Sequence, residues 1–203
     1  MCGIAGLIHR GKTSNVGSEL QQMLQALKHR GPDSTGYALY ADNDGKNFIL
    51  RFKVGENVGE GSSSVNEDAS VYDERKKLVD QMLNTLGAKI IKEDRLTPYS
   101  FRYEMEYDKD LMEFSKKIES IENVEILSIG KSLELIKDLG DAKVVSERYG
   151  LGDLKGTHAI GHARMATESG VDIKSAHPFW GYPFSDVSVV HNGQLTNYWN
   201  NRR

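Results

Sequence analysis

Between residues 99 and 107, Tyr99, Phe101, Tyr103, Met105 and Tyr107 alternate without a break with Ser100, Arg102, Glu104 and Glu106. A period of two puts every apolar side chain of such a segment on one face of a strand. That face must be covered, so the chain has to build a layered fold around at least one sheet. Elsewhere the period becomes helical. Leu20, Met23, Leu24 and Leu27 share one face, and Ser18 with Gln21 three residues on has the capping-box pattern that would start this helix. Leu78, Val79, Met82, Leu83 and Leu86 predict a second helix over 71–86, stopped by Gly87. A third is predicted over 109–120 and a short fourth over 133–139. Strands are expected over 4–9, 88–93, 124–129 and 187–191, and two more over 37–41 and 47–54, which Asp42-Asn43-Asp44-Gly45-Lys46 would join as a hairpin. The fold class is α+β.

Residues 55–70 are rich in Gly, Ser, Asn and Glu and lack any period, which reads as a loop. From 47 to 129 the order is strand, helix, strand, strand, helix, strand. That is a ferredoxin-like split βαβ unit if 47–54 supplies its first strand, although the hairpin claims the same residues. Residues 55–155 carry no recognisable chemistry and read as an inserted α/β subdomain between 1–54 and 156–203. The chain has 203 residues and a net charge of -3, which provides no basic field for nucleic acid. No apolar run approaches the ~20 residues of a membrane span. A single cysteine excludes an intramolecular disulfide and fits the reducing cytoplasm.

That cysteine, Cys2, follows the initiator methionine. Removal of Met1 would give one residue a thiol of pKa ~8.5 and a free α-amine of pKa ~7.7–8.0, a nucleophile beside a base. Far downstream, 157–167 reads as a strand running into a polar loop. His158 and His162 are four apart, the spacing of metal ligands on a helix. The glycine-interrupted strand removes that geometry, and no metal is expected. Arg164 falls where a carboxylate-binding fork would be useful, and Pro178 holds His177 extended. Asn192-Gly193 is either an ordinary turn or a carboxamide and a backbone N–H converging on an oxyanion. Arg30 is either a helix-end cation or a donor to the backbone around Cys2.

Met1-Cys2-Gly3-Ile4-Ala5-Gly6, His29-Arg30-Gly31-Pro32-Asp33-Ser34-Thr35-Gly36, Gly161-His162-Ala163-Arg164-Met165-Ala166-Thr167, His177-Pro178-Phe179 and His191-Asn192-Gly193 occur in one order. Together they resemble the class II glutamine amidotransferases, the N-terminal-nucleophile glutaminase domains, and most closely the glutamate synthase type. The resemblance covers 1–54 and about 156–203. Met165 departs from the aromatic residue common at its place. The resemblance implies an αββα sandwich of the N-terminal nucleophile hydrolase type. It implies that Cys2 attacks the glutamine side-chain amide while its α-amine relays the proton, and that Asn192 and Gly193 hold the oxyanion. Arg164 would bind the α-carboxylate, Arg30 would order the Cys2 backbone, and Thr167 and His177 would complete the substrate site, His177 at its rim. Ammonia would pass to a synthase domain or subunit. No cofactor is implied in this chain, whereas FMN and iron–sulfur groups would belong to the partner. A non-catalytic glutamine-sensing or partner-binding regulatory subunit is the other class of function, and self-association is left open.

In the family the chain normally continues beyond His-Asn-Gly through a helix to an acidic residue that pairs with the substrate ammonium. No Asp or Glu follows Asp186 here, so a glutaminase domain incomplete at its C-terminus is expected, with Tyr198 and Trp199 partly uncovered. The expected outcome is weak glutamate release from glutamine by this chain and a gain on extending it past Arg203. Equal efficiency of the two forms would overturn the expectation.

Overall fold

The computed structural model describes residues 2–42, 44–55, 69–165 and 173–193. In chain order the elements are β1 (Gly3–Ile8), α1 (Val16–Ala26), β2 (Ser34–Ala41), β3 (Phe48–Lys53), α2 (Ala69–Leu86), β4 (Lys89–Thr97), β5 (Ser100–Glu106) and α3 (Leu111–Glu119). There follow β6 (Glu125–Gly130), β7 (Leu133–Leu139), α4 (Ala142–Arg148), β8 (Gly156–Arg164), β9 (Phe179–Trp180) and β10 (Ser188–Val189). Short 3-10 turns lie at Lys28–Arg30 and Leu151–Asp153. The expected loop over 55–70 and the residues beyond Gly193 fall mostly outside the described residues.

Two antiparallel sheets of four strands carry the fold. The first has the order β1–β8–β2–β7, and α1 and α4 cover one of its faces through Leu20, Leu24, Tyr37, Leu39, Ile136 and Val145. The second has the order β4–β5–β3–β6, and its Phe52, Phe101 and Tyr103 pack against Leu83 of α2 and Phe114 and Ile118 of α3. The alternating stripe of β5 is therefore a buried sheet face, as its period demands. The succession β3, α2, β4, β5, α3, β6 with this strand order is the connectivity of a split βαβ unit.

Four local expectations are corrected. Helix α1 starts earlier than expected: the Asn15 side chain, not Ser18, is its cap, accepting from the Ser18 N–H. Strands β2 and β3 do not form a hairpin. Both edges of β2 are taken by β7 and β8, and both edges of β3 by β5 and β6, so β2 and β3 belong to different sheets. Residues 133–139 are a strand and not a helix. Leu, Glu and Lys are good helix formers, but propensity is a weak constraint that tertiary context overrides, and here burial decides. Leu133 and Leu135 pack against Leu127, while Ile136 enters the core under α1 and α4. The strand expected over 187–191 is only the two residues of β10, paired with β9.

Strands also cross the boundaries drawn at 54 and 155. β3 precedes residue 55 yet lies inside the second sheet, and β7 lies between 55 and 155 yet completes the first. Polar side chains of β7 make the junction. Glu134, with 4% of its side chain exposed, accepts from Arg51 Nε at 2.9 Å and from Arg102 Nε at 2.8 Å and Nη2 at 3.0 Å. Lys137 meets Glu125 at 3.1 Å, and Lys53 meets the same carboxylate at 2.9 Å. Asp138 accepts from Tyr99 at 2.7 Å, Arg148 at 2.7 Å and Tyr149 at 3.0 Å.

Burial alone would raise the pKa of Glu134, but the Arg51 and Arg102 guanidinia outweigh it and bring the group down from 4.5 to about 2. A carboxyl depressed in this way stabilises the folded state above its unfolded value, and the contribution is lost as pH falls toward the folded value. Glu134→Ala, which strands the buried Arg51 guanidinium and leaves Arg102 only Asp94 among the described residues, is expected to cost ~3–5 kcal/mol in denaturant unfolding at neutral pH. The wild type should lose this advantage as pH falls from about 5 toward 2, with the mutant flatter over that window. Parallel curves for the two proteins would show that the clamp is not the acid-sensitive element.

Candidate active site

Pairing registers decide which side chains meet. Ile4 and Gly36 both lie opposite His162, Ser34 lies opposite Arg164, and Gly36 lies opposite Lys137. Directly opposed residues share a face, and this is the face turned away from α1 and α4. Cys2 stands one residue before β1, so alternation carries it to the same face, beside Arg164. One row then runs Cys2, Arg164, Ser34, and the next runs Ile4, His162, Gly36, Lys137.

The 173–193 stretch closes over these rows. A Cβ on Gly36 would fall 2.0 Å from the His177 carbonyl oxygen, so only glycine lets that loop lie on the sheet. The His177 ring meets His162 at 5.0 Å and Phe179 at 4.5 Å between centroids. Its Nδ1 lies 2.7 Å from the His191 carbonyl oxygen. The next residue reaches the nucleophile candidate: Asn192 Nδ2 donates to the Cys2 carbonyl oxygen at 3.1 Å. The half-buried Cys2 thiol accepts from the Met165 N–H at 3.5 Å. Asp186 anchors the closing stretch from its far end. Its carboxylate accepts from the N–H groups of Lys131 at 3.0 Å, Ser132 at 2.7 Å and Leu133 at 2.8 Å, the turn between β6 and β7.

Burial pushes His162 down to about 4, and the nearby charge of His177, Arg164 and His191 adds to the effect. Burial also lowers His177, against the opposing hydrogen bond that its ring donates to the His191 carbonyl oxygen. Both rings are therefore neutral at pH 7. No three His, Cys, Asp or Glu side chains converge as metal ligands among the described residues.

Cys2, Arg164, His177 and Asn192 are thus brought together from four separate stretches. Gly193 adjoins them with φ +156°, its Cα side against the His191 ring. Arg30 ends the 3-10 turn with its Nε buried and without a partner, and its guanidinium makes no hydrogen bond to Cys2. Its neighbour Gly31 packs on the Ala163 carbonyl, where an added Cβ would come within 2.4 Å. Thr167 lies outside the described residues. His162 and Ser34, buried in the same rows, were not among the sequence candidates. The alternation of Gly161-His162-Ala163-Arg164 already places His162 and Arg164 on one face, a signal obscured by weighing His162 only as a metal ligand.

Gly36→Ala is expected to push the His177 loop off the sheet and abolish the Asn192–Cys2 contact, because the clash is with backbone. Histidine NMR titration should show the His162 ring neutral throughout pH 6–8 in the wild type. A midpoint for His162 within that range would contradict its burial.

No protein-family model matches the chain. A protein of Methanothermobacter thermautotrophicus carrying the provisional name glutamine amidotransferase is 39% identical over 98% of this chain and 63% of its own length. The glutamine amidotransferase-like protein GlxB of Rhizobium meliloti is 31% identical over the whole of this chain and 62% of its own length. The chain therefore spans under two thirds of these two relatives. A shorter match, 40% identical over 36% of this chain and 13% of the relative, is to the chloroplastic amidophosphoribosyltransferase 2 of Arabidopsis thaliana, a class II glutamine amidotransferase. The chain is a homologue of the glutamine amidotransferases.

Proposed function

We propose that the chain is the glutaminase part of a class II glutamine amidotransferase, with the αββα sandwich of the N-terminal nucleophile hydrolases. The observation that carries this reading is the Asn192 carboxamide on the Cys2 backbone, a contact spanning 190 positions of sequence. An amide donor held on the backbone of the cysteine residue supports the reading that Asn192 serves an oxyanion formed at Cys2.

The chemistry follows from Cys2. While Met1 is attached, the Cys2 nitrogen is a peptide amide and cannot accept a proton. Once Met1 is removed, the free amine takes the thiol proton and the sulfur attacks the side-chain carbonyl of glutamine. The negative charge moves to the carbonyl oxygen, and the Asn192 carboxamide and Gly193 N–H stabilise it there. The amine returns its proton to the departing nitrogen, which leaves as ammonia. The same amine then activates a water that splits the γ-glutamyl thioester, giving glutamate and the free thiol. Arg164, beside Cys2 in the row, is suited to a bidentate pair with the substrate α-carboxylate. His177 frames the rim, and Thr167 is carried as a substrate contact on family resemblance alone. Arg30 would have to turn to order the Cys2 backbone. The ammonia acceptor is proposed to be a glutamate synthase-like partner in the cytoplasm, holding FMN and iron–sulfur groups of its own.

Glutamate release from glutamine, with asparagine as control, tests the reading. Cys2→Ala should abolish activity without loss of fold, and activity should appear only in protein whose intact mass lacks Met1. Asn192→Ala should lower kcat by ~10²–10³. Arg164→Lys should chiefly raise KM, by the equivalent of ~1.5–3 kcal/mol. Retained Met1 with glutamine binding but no turnover would instead favour the regulatory subunit.

A further inference from the structure

Two side chains next to Arg164 are buried without hydrogen-bond partners. Ser34 is 0% exposed and its hydroxyl meets no partner; His162 is 2% exposed and neither ring nitrogen meets one. A neutral imidazole carries both an N–H and a lone pair, and a hydroxyl likewise donates and accepts. Leaving such groups dry is costly, and buried polar groups of this kind are commonly satisfied by an ordered water.

Their placement is specific. Ser34 lies directly opposite Arg164 on β2, and His162 lies two residues before Arg164 on β8, so both flank its side chain on the face that carries Cys2. The His177 ring covers His162, and the loop carrying it fills the space over Gly36. The guanidinium offers only donors, so a neighbour that positions it must present lone pairs. Water can accept from the guanidinium while donating to the Ser34 oxygen and to a ring nitrogen of His162. The imidazole keeps that lone pair because burial, with His177, Arg164 and His191 nearby, holds it neutral.

We infer that Ser34 and His162 are positioning residues, which together hold one buried water against the Arg164 guanidinium and so fix the seat of the substrate carboxylate. The identity of that substrate rests on the glutaminase reading; the water site does not. The proposal separates these two residues from merely structural ones. Purely structural polar groups buried without partners would be improved by apolar replacement, with no effect on substrate.

The test combines Ser34→Ala, His162→Leu, their double mutant and His162→Gln, which keeps both a donor and an acceptor. Each apolar replacement should raise KM for glutamine roughly 5–10-fold, the change falling on KM more than on kcat. The double mutant should be no worse than the weaker single one, because a shared water is lost only once. His162→Gln should recover part of the loss, and neither apolar variant should raise Tm. A crystal structure at high resolution should hold density within hydrogen-bond distance of both Ser34 Oγ and the His162 ring. Unchanged KM with raised Tm, additive effects, or empty density would each overturn the inference. If the wild type fails to hydrolyse glutamine, the proposed function falls, and the density alone decides the water site.

Discussion

The junction around Glu134 is the constraint on which the rest depends. A strand presents two faces and two edges, and β7 uses nearly all of them. One edge pairs with β2, one set of apolar side chains enters the core beneath α1 and α4, and another meets Leu127 of β6. Its acidic and basic residues reach the second sheet, where Arg51, Arg102 and Glu125 await them. An ion pair removed from water gains stability only when its geometry and remaining hydrogen bonds are good. Two guanidinia around one carboxylate meet that condition better than a single pair, and they admit little sliding of one sheet on the other. Hydrophobic packing holds each sheet to its own helices, and the two sheets join through the paired charges together with the apolar contact of Leu133 and Leu135 on Leu127.

The candidate site inherits this arrangement. The face that carries Cys2, Arg164, Ser34 and His162 belongs to the first sheet, with β7 as its outer strand. The stretch that closes over the face is pinned by Asp186 to the turn between β6 and β7. That turn joins the two sheets. The distance between the nucleophile candidate and Asn192 is therefore set partly by residues of the second sheet.

Local patterns in the sequence were readable where one period dominated. The strict alternation of 99–107 and the helical spacing of 71–86 and 109–120 correspond to β5, α2 and α3. The failures share a cause. Residues 133–139 contain no clean period because β7 is buried on both faces, and then the composition of good helix formers misleads. The expected hairpin over 37–54 failed because its turn residues say where a chain can bend, and not which sheet receives the next strand. In the site, the short motifs marked Cys2, Arg164, His177 and Asn192, residues whose chemistry is explicit. Ser34 and His162 stand out through burial and register, and neither property is visible until β2 and β8 are paired.

The unpaired polar atoms also bear on why this face is built as it is. A sheet optimised only for stability would place apolar side chains at Ser34 and His162, since both positions are buried and their neighbours Ala38 and Ile160 on the same face are apolar. Departures from that rule concentrate where function constrains the structure. Here they flank the one buried arginine in the same row as the only cysteine, while the lower rows of the sheet, Ile160 with Ala38 and Leu135, follow the apolar rule. The polar exceptions thus stop one step from the nucleophile candidate. Lys137 shares the His162 row but is paired with Glu125, so what distinguishes Ser34 and His162 on this face is that they are buried without partners, which is what the proposed role beside Arg164 accounts for.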